Sequence, residues 1–152
     1  MSRIPTITDK APAPLPVFNQ AIVANGFVYT SGSIAQDPAT GKIIDGDIQA
    51  HTASRRRRRR HGRANIPQHR VIQNLSAVLE ASGSSVNDVV EVSVFLADMG
   101  DFAKMNEVYQ TYWGDIKPAR TCVAVKTLPA NTDVEIKCVA VVSKPWNIQT
   151  KL

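Results

Sequence analysis

An α+β domain, with two helices on one face of a mixed sheet, is the fold class this sequence predicts. Two observations carry it. Apolar residues recur at helical spacing in two stretches, from Gln68 to Gly83 and from Asp101 to Pro118, while the stretches around them are β-prone. The order is strands, helix, strand, helix, strands.

The first strands announce themselves in "QAIVANGFVYTSG". Asn25-Gly26 suits the positive φ angles of a tight hairpin turn, and Phe27, Val28 and Tyr29 resume the β-prone run. "DPATGK" (Asp37 to Lys42) is a second turn. "DGDIQAHT" (Asp45 to Thr52) reads as the opening turn of the first helix. "QHRVIQNLSAVLEASG" reads as its continuation, with Val71, Ile72, Leu75, Val78 and Leu79 inward and Gly83 at the C-terminal stop. In "DVVEVSVFLADM", Val90, Val92, Val94 and Leu96 alternate onto one face of a strand. The second helix, "GDFAKMNEVYQTYW", is expected to open with Asp101 as N-cap, to turn Phe102, Met105, Tyr109 and Tyr112 inward, and to stop at Pro118. "ARTCVAVKTL" and "DVEIKCVAVVS" read as two last strands, joined by "PANT" as a hairpin.

Between the two parts of the first helix lie residues 53–67, read as an insertion. "ASRRRRRRHGR" concentrates charge there. Taking away Arg55–Arg60 and Arg63 turns the net charge of +5 into −2, so the basic pI belongs to one segment and not to the fold. A dedicated nucleic-acid domain spreads its basic residues over a face. The expected behaviour is a solvated excursion that gives, at most, salt-dependent and sequence-blind binding of polyanions through Arg55–Arg60.

The 152 residues, 43% of them hydrophobic, suit one domain spanning 1–152. No apolar stretch approaches the roughly 20 residues that span a bilayer, so no membrane partner is expected. The first residues carry no apolar signal core. Cys122 and Cys138 form no CxxC motif and stand apart from His51, His61 and His69, so neither a zinc site nor any other metal or cofactor is expected. A reduced intracellular protein follows, cytoplasmic by expectation, with the mitochondrion as the alternative.

Chemistry is written more quietly in "KPARTCVAV". Arg120 stands among small and apolar residues, where a guanidinium must find an anion or water. It is read either as half of a structural salt bridge or as a fork for a substrate carboxylate. Glu135, in "DVEIKCVAV", raises the same alternatives. With "PANT" closing a hairpin, Arg120 falls opposite a residue near Ala140, about 16 Å along the strand from Glu135. The two charges then do not meet within one chain, and a shared site is more easily built between subunits.

The stretches "TSGSIAQDPATGKI", "VIQNLSAVLEASGSSVNDVVEVSVFLADMGDFAKMNEVYQTYW", "KPARTCVAVKTLP" and "VEIKCVAV" together resemble the Rid (reactive intermediate deaminase) family, one branch of which is also called L-PSP endoribonuclease. The likeness covers nearly everything outside residues 53–67 and is nearest to the branch that hydrolyses 2-imino acids. It implies a chorismate-mutase-like fold and a homotrimer with sheets inside, helices outside and ligand clefts between subunits. It implies hydrolysis of 2-iminopropanoate and 2-iminobutanoate to 2-oxo acids and ammonia. The family's carboxylate-binding arginine falls on Arg120 and its water-orienting acid on Glu135. Ser31, Gly32, Asn106 and Cys122 fall on further pocket positions. Where the family often has tyrosine, in "GPYSQ", this chain has Phe18 in "LPVFNQ", which removes a hydroxyl from the pocket rim.

Each residue also has a plainer reading: Cys122 as a small buried hydrophobe, Asn106 as a surface amide, Ser31-Gly32 as a turn, Phe18 as core. Two other function classes stand beside the deaminase, an RNA-binding or RNA-cleaving translation inhibitor and a trimer that binds 2-oxo acids without turnover.

Overall fold

The computed structural model describes residues 3–52 and 70–143; the arginine run, His61 and His69 lie outside the described residues. Its strands are β1 (Ile4–Thr6), β2 (Ala21–Ala24), β3 (Phe27–Thr30), β4 (Ser33–Ile34), β5 (Val89–Leu96), β6 (Ala119–Ala124) and β7 (Val134–Val141). Its α-helices are α1 (Ile48–Thr52), α2 (Val71–Ala81) and α3 (Phe102–Trp113). The expected opening turn of the first helix is α1. Whether it runs on into α2 falls on residues that are not described.

The strands form one mixed sheet in the order β1-β2-β3-β7-β5-β6, with β4 also paired to β7. Asn25 (φ 53°) and Gly26 (φ 78°) turn the β2–β3 hairpin through left-handed backbone, as their sequence predicts. The Asp37–Lys42 turn forms too, with Asp37 Oδ1 accepting from the backbone N–H groups of Ala39 and Thr40. α2 ends in a Schellman motif. Gly83 takes φ 76°, its N–H donates to Glu80 O, and the Ser84 N–H donates to Leu79 O.

Three expectations need correcting. The strands flanking "PANT" are not a hairpin, because β5 lies between them, parallel to β6 and antiparallel to β7. α3 is therefore the crossover of a β5–α3–β6 unit, which makes those two strands parallel. Val90 does not share the face of Val92, Val94 and Leu96. The ladder shifts register between Val89 and Glu91, so Val89 is buried and Val90 is exposed. Asp101 makes no side-chain cap. The carboxylate of Asp98 instead accepts from the Gly100 N–H in the turn before α3.

One core lies between the sheet and α2 and α3. Ile72, Leu75 and Leu79 of α2 and Met105 and Trp113 of α3 are buried against Val28, Val92, Val94, Leu96, Val134 and Ile136. Each such aliphatic side chain contributes roughly 1.5–3 kcal/mol on leaving water. Trp113, not Tyr112, is the fully buried aromatic at the end of α3, and its indole N–H donates to Val86 O. The other side of the sheet exposes Phe27, Tyr29, Val123 and Val141.

Candidate active site

The fold sorts the expected site residues into two groups. Arg120, Asn106 and Cys122 gather where β6 meets α3. Phe18, Ser31, Gly32 and Glu135 gather around a pocket at the other end of the site's strands.

The first group follows from register. Arg120 and Cys122 pair with Val92 and Val94, whose side chains are buried on the helix face, so both point to that face at the open edge of the sheet. α3 crosses there. The Arg120 guanidinium lies over the ring of Tyr109, 4.7 Å from its centroid, and 5.5 Å from that of Phe102. Its Nη1 donates to Asn106 Oδ1 at 2.5 Å. Asn106 is thus an arginine holder here, and not only a surface amide. The guanidinium is oriented by a neutral amide and a ring, neither of which cancels its charge. Arg120 also remains exposed to solvent. Burial raises the pKa of the Cys122 thiol, against the opposing pull of Arg120, so the sulfur is not a ready thiolate. Cys138, buried in the core, is pushed up to about 11.

The second group surrounds a pocket of about 530 Å³, lined by Phe18, Ser31, Gly32 and Glu135 together with residues of the 11–15 segment and α2. Glu135 sits between Val134 and Ile136, which alternate into the core, and it pairs with Ile34 of β4 and Phe95 of β5. Burial raises its carboxyl pKa. Gly32 leaves room for the Glu135 carboxylate: a Cβ there would meet Glu135 Oε1 and the carboxylate would have to move. The Ser31 hydroxyl donates to Asn19 O at 2.6 Å, so it fastens the loop that carries Phe18.

Arg120 and Glu135 stay apart in the chain, by a different geometry from the one expected. Arg120 pairs with Val92, and Val92 with Cys138, three residues from Glu135. That makes about 10 Å across two strand spacings and about 10 Å along the strand. Strand alternation also turns the two side chains to opposite faces.

Sequence reasoning missed two features of note. Tyr109 was read as inward, but its service as the platform for Arg120 depends on the β5–β6 register. His51 has both ring nitrogens at acceptors, Nδ1 at 2.6 Å from Asp133 Oδ1 and Nε2 at 2.8 Å from Ile44 O. The carboxylate of Asp133 first, opposed by burial and helped by the Ile44 carbonyl, raises its pKa. Among the described residues, no three His, Cys, Asp or Glu side chains come together in a way that could hold a metal ion, and no helix is long and apolar enough to cross a membrane.

Comparison with known proteins agrees with this architecture. The family described as Endoribonuclease L-PSP matches residues 8–61 and 61–142. A RutC family protein of Pyrococcus abyssi is 42% identical over 140 residues, covering 92% of this chain and 98% of the relative. Reactive Intermediate Deaminase A, chloroplastic, of Arabidopsis thaliana is 35% identical over 133 residues, covering 88% of this chain and 63% of the relative. Among solved structures, the Rid family protein YyfA of Yersinia pestis superposes with a TM-score of 0.79 at 31% identity, over 93% of this chain and 100% of that one. E. coli TdcF, solved with bound serine, superposes with a TM-score of 0.72 at 32% identity, over 91% and 98%. A mixed sheet with its helices on one face, matched over nearly its whole length in sequence and in shape, places the chain in the Rid/L-PSP family with that family's chorismate-mutase-like fold.

Proposed function

We propose that this protein hydrolyses reactive 2-imino acids, 2-iminopropanoate and 2-iminobutanoate among them, in clefts that a homotrimer forms between subunits. The observation that carries the reading is the division of the site. A guanidinium oriented by Asn106 and Tyr109 stands at one sheet edge, and a carboxylate with a raised pKa, at a strand position that alternates away from that guanidinium, lines a separate pocket. Two copies of the chain, packed through the exposed apolar sheet face, would bring the complementary halves together. The deaminase relative and the family structure with bound serine support a ligand of amino-acid type.

In this site Arg120 of one subunit donates two parallel hydrogen bonds to the substrate carboxylate and draws electrons from the neighbouring C2. Glu135 of another accepts a proton from a water molecule as the water oxygen bonds to C2 of the protonated imine and the C=N π pair moves to nitrogen. The result is a carbinolamine. Glu135 returns that proton to the amine, the C–N bond breaks, and ammonia leaves as the C2 hydroxyl gives its proton to the Glu135 carboxylate and becomes the oxo group. Imines hydrolyse readily unaided, so positioning and one suitably basic carboxylate suffice. The raised pKa makes Glu135 a stronger base than an ordinary glutamate.

The test is ammonia release from 2-iminopropanoate generated in place by an amino-acid oxidase. Wild type accelerates it and Arg120→Ala does not; equal rates for the two would overturn the clamp. The same assay on a chain lacking residues 53–67 separates any polyanion binding by Arg55–Arg60 from the deaminase.

A further inference from the structure

The pocket beside Glu135 is built for more than a methyl group. At about 530 Å³ it falls in the range of roughly 300–1,000 Å³ that holds drug-sized ligands. Its polar lining is largely engaged in holding the protein together. Gln20 Nε2 donates to the carbonyls of Thr8, Ala11 and Pro12, and Gln20 Oε1 accepts from the Thr8 N–H. Asn74 Nδ2 donates to the Ile34 and Gln36 carbonyls, and Gln36 Nε2 donates to Gly41 O. With the Ser31 hydroxyl on Asn19 O, Glu135 is left as the charged group of the lining. Apart from Ser33, the remaining wall is apolar, and two of its members sit on the rim, Leu15 at 64% and Phe18 at 45% exposed in the single chain.

We infer that this pocket receives the substituent of the 2-imino acid and that Leu15 and Phe18 make branched aliphatic or aromatic imines, such as those derived from leucine and phenylalanine, its preferred substrates. The inference rests on the deaminase reading of the same site. With C2 beside Glu135 and the substrate carboxylate directed to Arg120 of a neighbouring subunit, the substituent is left facing the 11–18 rim. A methyl group there leaves the wall wet; an isobutyl or benzyl group covers it and removes apolar surface from water. A carboxylate on the substituent is disfavoured, because Glu135 repels a second negative charge.

The test compares kcat/KM for imines generated from alanine, leucine, phenylalanine and glutamate, in wild type, Phe18→Ser and Leu15→Ser. Both positions are on an exposed rim, and thermal melts verify that each variant stays folded. The leucine- and phenylalanine-derived imines are expected to exceed the alanine-derived one by about tenfold or more, and the glutamate-derived one to be poorest. Either serine variant should shrink the leucine-to-alanine ratio severalfold. A wild type that prefers the alanine-derived imine, or a ratio that neither variant moves, overturns the inference and leaves the deaminase standing. Acceleration of none of the four imines overturns both.

Discussion

Asn106 Oδ1 accepts a hydrogen bond from Arg120 Nη1 at 2.5 Å and thereby fixes which edge of the guanidinium remains for a ligand. One face of the group is already against Tyr109, so the amide sets its rotation about that ring. Asn106→Ala should leave Arg120 charged but loosely aimed. A hydrogen bond to a charged group in this exposed setting is worth about tenfold, so kcat/KM should fall by about that factor with little change in melting temperature. Steady-state kinetics across imine concentrations check it.

Tyr109 supports the same guanidinium through its ring and not through its hydroxyl, which is buried with no hydrogen-bond partner among the described residues. Tyr109→Phe keeps the platform and removes the orphaned group, so activity and melting temperature should hold or rise slightly. Tyr109→Leu removes the cation–π contact, and kcat/KM should drop about three- to tenfold. The pair of variants separates the ring from the hydroxyl.

Gly32 is not at positive φ, so alanine fits its backbone; what alanine cannot avoid is Glu135. Gly32→Ala should therefore fold normally while displacing the carboxylate. Misplacement of a reacting group by about 1 Å costs on the order of a hundredfold in rate. A kcat that falls this far in a protein with a near-normal melting curve is the expected result.

His51 ties α1 to the residues that lead into β7, two positions before Glu135. Its folded pKa lies above the ordinary 6.5, owing first to its hydrogen bond with Asp133. The stabilisation is therefore fully present below the unfolded value and is lost as pH rises through the folded one. Asp47 adds to the same direction. The melting-temperature gap between wild type and His51→Gln should be widest in mildly acidic buffer and narrow as pH is raised above neutrality.

Local features of this fold were legible where one residue decides the backbone. Asn25-Gly26 could only turn, Gly83 could only end α2 in left-handed backbone, and the spacing from Val71 to Leu79 could only be a buried helix face. The β6–β7 pairing was not legible. Two strands joined by a short loop read as a hairpin, and nothing local says that β5 will enter between them after α3 has crossed over. The bulge at Val90 was hidden for a similar reason, since a run of valines alternates equally well with or without a slipped residue. At the site, Arg120 and Glu135 stood out as charges set in apolar strands. The parts that aim them did not, because Tyr109, Asn106 and Gly32 acquire their roles only through register and helix crossing.

If the site is assembled from two chains, two dead proteins should make a live one. Arg120→Ala and Glu135→Gln are each expected to be inactive against 2-iminopropanoate. Unfolded together in equal amounts and refolded as mixed oligomers, they should regain about a quarter of the wild-type rate, because random assembly pairs an intact arginine with an intact glutamate at about that share of interfaces. Recovery at that level is expected of a site shared between subunits. A mixture as inactive as its parts, with mixed oligomers demonstrably formed, would contradict it.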